Sequence, residues 1–432
     1  MSHSSRGSLA AFWFRHRSGF GVALGALVCQ MGLAYGYTLS ALAGEIQSDL
    51  AWTRTMYAGA LGPQILVIAL MSPLVGAATI RYGPRRVLVS AGLLLGMSFS
   101  LLSGIDALWQ LYALIVLLGL SFAGLGDIAV SQAVSQWFRR GRGLALGVVF
   151  TGSNLGGYLL IWASGAITEV SSWRTAFLIM AMGAFAIIVP AAFWLVRDPA
   201  TTTSETIPEA EPDEDTTTLD ARAALRTRSF WILAFALFVF FFYLMAITQH
   251  LVLFLTDHEM EASLAREWFA TAVGLGLISK VLLGLLASFL PARTTLWLDY
   301  GLIAASSIAL LYLPDARWLP FFIVLYGFST AARDVVYPLI VTYCFGLRYM
   351  AQIYGLLMIA LLPGGVLGPL FAAWIFDNSG SYTAAFQVFS ILNLLALIAL
   401  AWVRNERGRN HRDEEPGSTE DRSATGFSSA TG

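Results

Sequence analysis

Apolar residues in this chain fall into long blocks separated by short polar breaks. Twelve blocks are long enough to cross ~30 Å of hydrocarbon as helices. They lie at 18–41, 56–79, 87–105, 109–136, 144–168, 174–196, 229–256, 266–290, 295–313, 318–343, 351–376 and 383–403. Gly83-Pro84, Arg139 to Gly143, Ser171-Ser172, Pro291, Pro314 and Gly380 punctuate them. This pattern predicts an all-α membrane protein of twelve transmembrane helices.

The blocks repeat. Residues 115–123 read IVLLGLSFA and residues 323–331 read IVLYGFSTA, six identities in nine at an offset of 208. The same offset pairs Asp49 with Asp257, Gly76 with Gly284, Gly147 with Gly355, Gly156-Gly157 with Gly364-Gly365, and Glu169 with Asp377. A constant register across most of each half predicts two copies of one six-helix membrane unit. The expected layout is an N-terminal arm (1–17), a first bundle (18–196), a linker (197–228), a second bundle (229–403) and a polar, disordered tail (404–432).

Composition narrows the function classes. The chain is 57% apolar and 12% charged, with net charge −1, and a mean hydropathy of +0.68. The bilayer is therefore its solvent, and no basic groove remains for nucleic acid. Cys29 and Cys344 fall in predicted spans without disulfide or metal spacing. With the N-terminus placed inside, twenty arginines fall on cytoplasmic segments, against four (Arg54, Arg174, Arg266 and Arg317) on external loops. Both termini are expected to be cytoplasmic. Thr, Pro and acids dominate the start of the linker, which is expected to be disordered. Its end, LDARAALRTR, has the pattern of a short surface helix. No nucleophile–base pair, metal cluster or nucleotide loop suggests an enzyme, and no cofactor is implied.

Two stretches carry a family resemblance. GAATIRYGPRR (76–86) resembles the motif between the second and third helices of the major facilitator superfamily, matching at Gly76, Arg81, Gly83, Arg85 and Arg86, with Ile80 where that motif has an acid. WFRRGRGLALGVVFTGSNLG (137–156) is similar to the fifth-helix signature of the bacterial monocarboxylate porter-like members, through Trp137, Phe138, Arg140, Arg142, Leu144, Ala145, Gly147, Gly152 and Gly156. Gly76 and the Gly152/Gly156 pair are expected to allow close helix approach. The resemblance implies two pseudo-symmetric six-helix halves, a central cavity lined by helices 1, 4, 7 and 10, and a plasma (bacterial inner) membrane location. The first-helix signature is thin here: Ser18-Gly19-Phe20-Gly21-Val22 lacks its acid.

Four charges fall near mid-span, where each costs at least ~2.5 kcal/mol: Asp127, Lys280, Arg333 and Asp334. All lie on helices that the resemblance places at or beside the cavity; Asp299, the only other candidate, is expected near a cytoplasmic end. Lys280 is the only lysine beside 25 arginines. By position it resembles the helix-8 arginine that meets the substrate carboxylate in monocarboxylate porters. An ammonium adjusts its charge state on burial more readily than a guanidinium. The expected roles are substrate contact by Lys280 and Arg333 and proton coupling or gating by Asp127, Asp334 and His250. Tyr35, Tyr37, Asn154 and Gln249 are candidate ligand hydrogen-bonders. Structural salt bridges, Lys280 to Asp334 or Asp127 and Arg333 to Asp127, stay open beside these roles. The leading expectation is a secondary transporter of small organic anions, chiefly monocarboxylates, acting as a monomer by alternating access with proton symport or anion exchange. The alternatives are an exporter of amphipathic or aromatic compounds and a non-transporting membrane sensor.

Overall fold

The computed structural model describes residues 17–138, 142–197, 219–286, 289–330, 333–346 and 349–407. Among these every regular element is helical. Span 1 is segmented into α1 (Arg17–Met31), a 3-10 turn (Gly32–Ala34), α2 (Tyr35–Ala41) and α3 (Ala43–Leu50). There follow α4 (Arg54–Leu61), α5 (Pro63–Tyr82), α6 (Pro84–Leu102), α7 (Leu108–Leu125), α8 (Asp127–Trp137), α9 (Arg142–Phe150), α10 (Gly152–Val170) and α11 (Trp173–Gly183), the last continuing through two π-helical turns. After α12 (Ala221–Leu225) come α13 (Arg228–Asp257), α14 (Ala262–Leu286), α15 (Ala292–Leu310), α16 (Leu319–Thr330), α17 (Arg333–Phe345), α18 (Met350–Ile359), α19 (Leu361–Ser379) and α20 (Thr383–Ala399).

Local chemistry sets these boundaries. Thr53, Ser172 and Thr227 sit in extended backbone, and each side chain accepts from the amide three residues on, capping α4, α11 and α13. Gly83, at φ 84°, ends α5 in a region L side chains avoid, and Pro84 opens α6 where its missing N–H costs nothing. Among the described residues, nine helical stretches are long and apolar enough to cross a membrane, and Leu319–Ser329 is a shorter apolar one. The expected spans 266–290, 295–313 and 318–343 fall outside those nine. They coincide with α14, with α15, and with the α16/α17 pair, and carry the charges Arg266, Glu267, Lys280, Asp299, Arg333 and Asp334.

Buried apolar side chains gather in two clusters. One runs from Val22 to Val196 with Leu253 added; the other runs from Leu219 to Val403 with Ala41 and Ile161 added. Glycine governs equivalent contacts in each. A Cβ on Gly156 of α10 would fall 2.9 Å from Met31 Cα of α1, and one on Gly364 of α19 would strike the Phe238 carbonyl of α13. Gly156 and Gly364 are related by the 208-residue offset, and so are Met31 and Val239. Each glycine therefore lets its helix touch the first helix of its own half. Gly76 behaves differently from the expectation: a Cβ there would meet only Ile128, at 3.8 Å, and Gly147 has nothing within 4 Å.

Two further expectations are corrected. Asp299 is 1% exposed on α15 rather than near water. The tail was expected to be disordered from 404, yet residues 404–407 dock on the bundle. Glu406, 3% exposed, accepts from Ser229 Oγ at 2.6 Å, and its amide donates to the Cys344 carbonyl at 3.0 Å. The linker's end is also anchored: Leu219 N donates to Phe345 O at 3.1 Å, and Asp220 caps α12. The arm before residue 17, Arg140 and the tail from 408 lie outside the described residues, as do the side chains of Arg142, Arg333 and Asp334.

Candidate functional site

A cavity of about 530 Å³ lies between the two sequence halves. From the first half it is lined by α2, α4, α5 and the α7/α8 junction, and from the second by α13, α18 and α19. Much of the wall is aliphatic or aromatic, including Leu33, Ile65, Phe122, Phe241 and Met245. Tyr37, Ser40, Gln64, Ser72, Thr248 and Gln249 supply its uncharged polar groups, and Asp127 is the only charged side chain among the described lining residues.

The break between α7 and α8 places Asp127. Gly126 adopts extended backbone (ψ −174°), so the helix stops at Leu125 and restarts with Asp127 as its first residue. The carboxylate is thus carried on the first residue of a helix, where negative charge is favoured. Gln30, 1% exposed on α1, donates from Nε2 to Asp127 Oδ1 at 3.2 Å and orients it. Gln249 Oε1 is buried without a hydrogen-bond partner, an arrangement that costs ~1–3 kcal/mol unless a ligand or water satisfies it.

The other expected residues are placed unevenly. Tyr37 and Gln249 line the cavity. Tyr35 does not: 3% exposed, it donates to Met180 O at 3.1 Å and packs edge-on against Phe99, inside the first core. Asn154 bridges the halves by donating to Val273 O at 3.0 Å, away from the cavity wall. Lys280 is half-buried on α14 and is not among the described lining residues. Arg333 and Asp334 open α17, and their side-chain contacts lie outside what is described. Of the arginine motif, Arg85 lies over the Phe193 ring at 4.4 Å and Arg81 over Tyr82 at 5.2 Å, while Arg86 is exposed. Among the described residues no group of His, Cys, Asp and Glu could hold a metal.

Sequence reasoning missed a set of bridges at the end of the molecule holding the turns after α3, α10, α13 and α19. This latch end closes in two places. In the first, Arg54 of α4 pairs with Asp257 Oδ1 of α13 at 2.6 Å and donates to the Tyr382 hydroxyl at 2.5 Å, its guanidinium lying 3.7 Å over the Phe376 ring. The neighbouring Thr55 amide donates to Asp377 Oδ2 of α19 at 2.9 Å. In the second, Arg266 of α14, 4% exposed, pairs with Glu45 of α3 and with Glu169 of α10 at 3.2 Å. Glu169 and Asp377 are repeat partners at the 208 offset, so the acid ending the fifth span of each half grips the start of a helix in the other half. Beside them Asp49 pairs with Arg174, whose hydrogen bond, with that of Trp173, holds the carboxyl below its usual range. By sequence alone Arg54 and Arg266 mark only the topology of the loops they lie in. The signal that could have found the latches was the register of Glu169 and Asp377.

The cavity is lined by helices from both parts of the sequence, and ion pairs join those parts at one end. The Major Facilitator Superfamily profile matches residues 22–361. The chain belongs to the Major Facilitator Superfamily. It is an integral membrane protein of a transporter family rather than an enzyme. Relatives include Monocarboxylate transporter 12 of Mus musculus, 23% identical over 72% of this chain and 70% of its own length. Monocarboxylate transporter 13 of Rattus norvegicus is 26% identical over 73% and 72%. The uncharacterised MFS-type transporter YhjX of Escherichia coli (strain K12) is 24% identical over 79% and 85%. Among solved structures, a bacterial homologue of the human lysosomal transporter Spinster, in an inward-facing and occupied conformation, aligns with TM-score 0.67 at 14% identity, over 90% of this chain and 95% of its own. A variant of the nucleoside transporter NupG aligns with TM-score 0.72 at 12% identity, over 89% and 99%. At these identities the two structures establish the fold alone.

Proposed function

We propose that this superfamily member carries small organic anions, monocarboxylates first among them, by alternating access between two six-helix halves. The observation that carries the reading is the ~530 Å³ cavity between the halves, bridged by cross-half ion pairs at one end. Exchanging that closure for one at the opposite end moves the cavity's contents across the bilayer. The substrate class rests on the names of the relatives and on Lys280, whose ammonium on α14 suits a carboxylate. The aliphatic wall suits an apolar body, and Tyr37 and Gln249 suit the polar end. In this reading Arg333 assists Lys280, and Asp127 with Asp334 carries the coupling proton or balances charge in exchange. The arginine distribution supports a latch end facing outward and both termini in the cytoplasm, in keeping with a plasma-membrane carrier.

A second reading has support of its own. Asp127 as the sole charge among the described lining residues, within a largely apolar and aromatic wall, suits an amphipathic or aromatic solute without a carboxylate. A thermal-stabilisation screen of the purified protein separates the two, since a ligand at a hundred times its Kd adds about 2.7 kcal/mol. The anion reading predicts that small monocarboxylates raise Tm and that Lys280→Ala removes the effect. Stabilisation by neutral or cationic amphipaths alone would replace it with the second.

A further inference from the structure

The two latches are built alike but respond to different chemistry. The Arg266 latch contains a guanidinium and carboxylates only. The Arg54 latch continues into a histidine. Tyr382, whose hydroxyl receives Arg54 Nη1, lies 2.9 Å from His250 Nδ1, and His250 Nε2 lies 3.0 Å from the Pro369 carbonyl of α19. His250 is 3% exposed. At the 208 offset its place in the first half is taken by Leu42, and that of Tyr382 by Arg174, so the extension belongs to one latch alone.

The donor and acceptor inventory fixes the charge state. The Pro369 carbonyl only accepts, so Nε2 carries a hydrogen. In the neutral ring Nδ1 must then accept, and the Tyr382 O–H donates to it, leaving the phenol oxygen free to receive Arg54. Burial holds the Tyr382 phenol above its ordinary range, so it keeps that hydrogen. The chain runs in one direction, from guanidinium to phenol to imidazole to carbonyl, with every polar group satisfied. A protonated ring would turn Nδ1 into a donor, strand the phenol hydrogen, and place a second cation in a dry site beside Arg54. The charged and titratable groups around it are Arg54 of α4, Asp257 of α13, His258 just after it, Asp377 of α19 and Tyr382 ahead of α20. Asp257 is held by Arg54, Asp377 by the Thr55 amide, and His258 by its own Phe254 carbonyl at 2.9 Å. From α3 and α14, Glu45 and Arg266 pair with each other.

We propose that His250 and Tyr382 are positioning residues that make the Arg54 latch proton-sensitive: closing the latch end expels one proton from His250 Nδ1 to the solvent on that side, and reopening takes one up. The proposal rests on the alternating-access reading and assigns it one proton-linked step. Acid on the latch side therefore favours the open state.

The test needs no substrate, so its outcome is separate from that of the anion reading. Spin labels at Val170→Cys and Arg317→Cys, exposed positions at the latch end in opposite halves, are introduced with Cys29→Ala and Cys344→Ala. Distances are measured in liposomes at pH 8 and pH 5. The expected result is a long-distance population at least threefold larger at pH 5. His250→Gln, which can accept from Tyr382 and donate to Pro369 without titrating, should show the pH 8 distribution at both values. This arm separates His250 from the nearby carboxylates. Tyr382→Phe keeps the ring and removes the hydroxyl, and should show the long population already at pH 8. No pH response in the parent protein, or an undiminished response in His250→Gln, overturns the proposal. So does a Tyr382→Phe protein that matches the parent at both pH values.

Discussion

Replacing Arg266 by glutamine should open the latch end without unfolding either half. The guanidinium is 4% exposed and grips Glu45 and Glu169, whose side chains are 28% and 51% exposed. Breaking a fully buried pair costs ~3–5 kcal/mol, whereas exposed pairs are worth ~0.2–1 kcal/mol each. Because the cation is dry and its partners are partly wet, the loss should lie between these, at about 2 kcal/mol. At 1.4 kcal/mol per tenfold this is roughly a 30-fold fall in the closed-to-open ratio. Both carboxylates lie on the first half and the arginine on the second, so the effect should fall on the equilibrium between conformations rather than on the helices themselves. Spin-label distances between Val170→Cys and Arg317→Cys at pH 8 read the ratio, and circular dichroism confirms folding. A folded Arg266→Gln protein whose closed fraction falls less than threefold would refute the reasoning. Gly165→Val offers an independent route: even a Cβ there would fall 2.6 Å from Arg266 Nε, so it should open the same latch while leaving all three charges in place.

Further substitutions probe other parts of the account. Gly368→Val should cost several kcal/mol and abolish stable folding in a thermal melt, because a Cβ at 368 would collide with the Phe242 backbone of α13. Asp127→Asn should preserve ligand-induced stabilisation but weaken the pH dependence of uptake, read as the ratio of rates at pH 5.5 and 7.5, leaving only the part that His250 supplies. Asp49→Asn should flatten the acid limb of thermal stability. The Asp49 carboxyl is held low by Arg174 and Trp173, so its contribution is complete above the unfolded value of ~4 and is lost as pH falls through the lower folded value.

The helices were legible because apolar blocks of span length have few other uses, and the repeat because several glycines keep one register, some of them where two backbones touch. Gly156 and Gly364 show why: each sits against the first helix of its own half, so neither can accept a side chain. The site was read less well. Charges inside the bilayer draw attention to Asp127 and Lys280, yet the cavity wall also takes Gln64, Ser40, Ser72 and Thr248, whose types are ordinary in membrane helices. Tyr35 looked like a ligand contact on the same helix as Tyr37, and only packing reveals that its hydroxyl is committed to Met180. The latches were hidden for another reason. Arg54 and Arg266 lie at span ends, where an arginine is unremarkable, and their partners lie 203 and 221 residues away in sequence. Nothing local marks such a pair.

Transport with the latch end held shut tests the central claim most directly. In the cysteine-free protein, Thr55→Cys and Asp377→Cys join positions whose backbone and side chain meet at 2.9 Å, and a disulfide or short bifunctional reagent can bridge them. Uptake of the most stabilising solute into proteoliposomes is then followed before cross-linking, after it, and after release. Alternating access predicts that uptake falls to the level of empty vesicles when the bridge is complete and returns on release. Continued uptake through a fully cross-linked protein would contradict it.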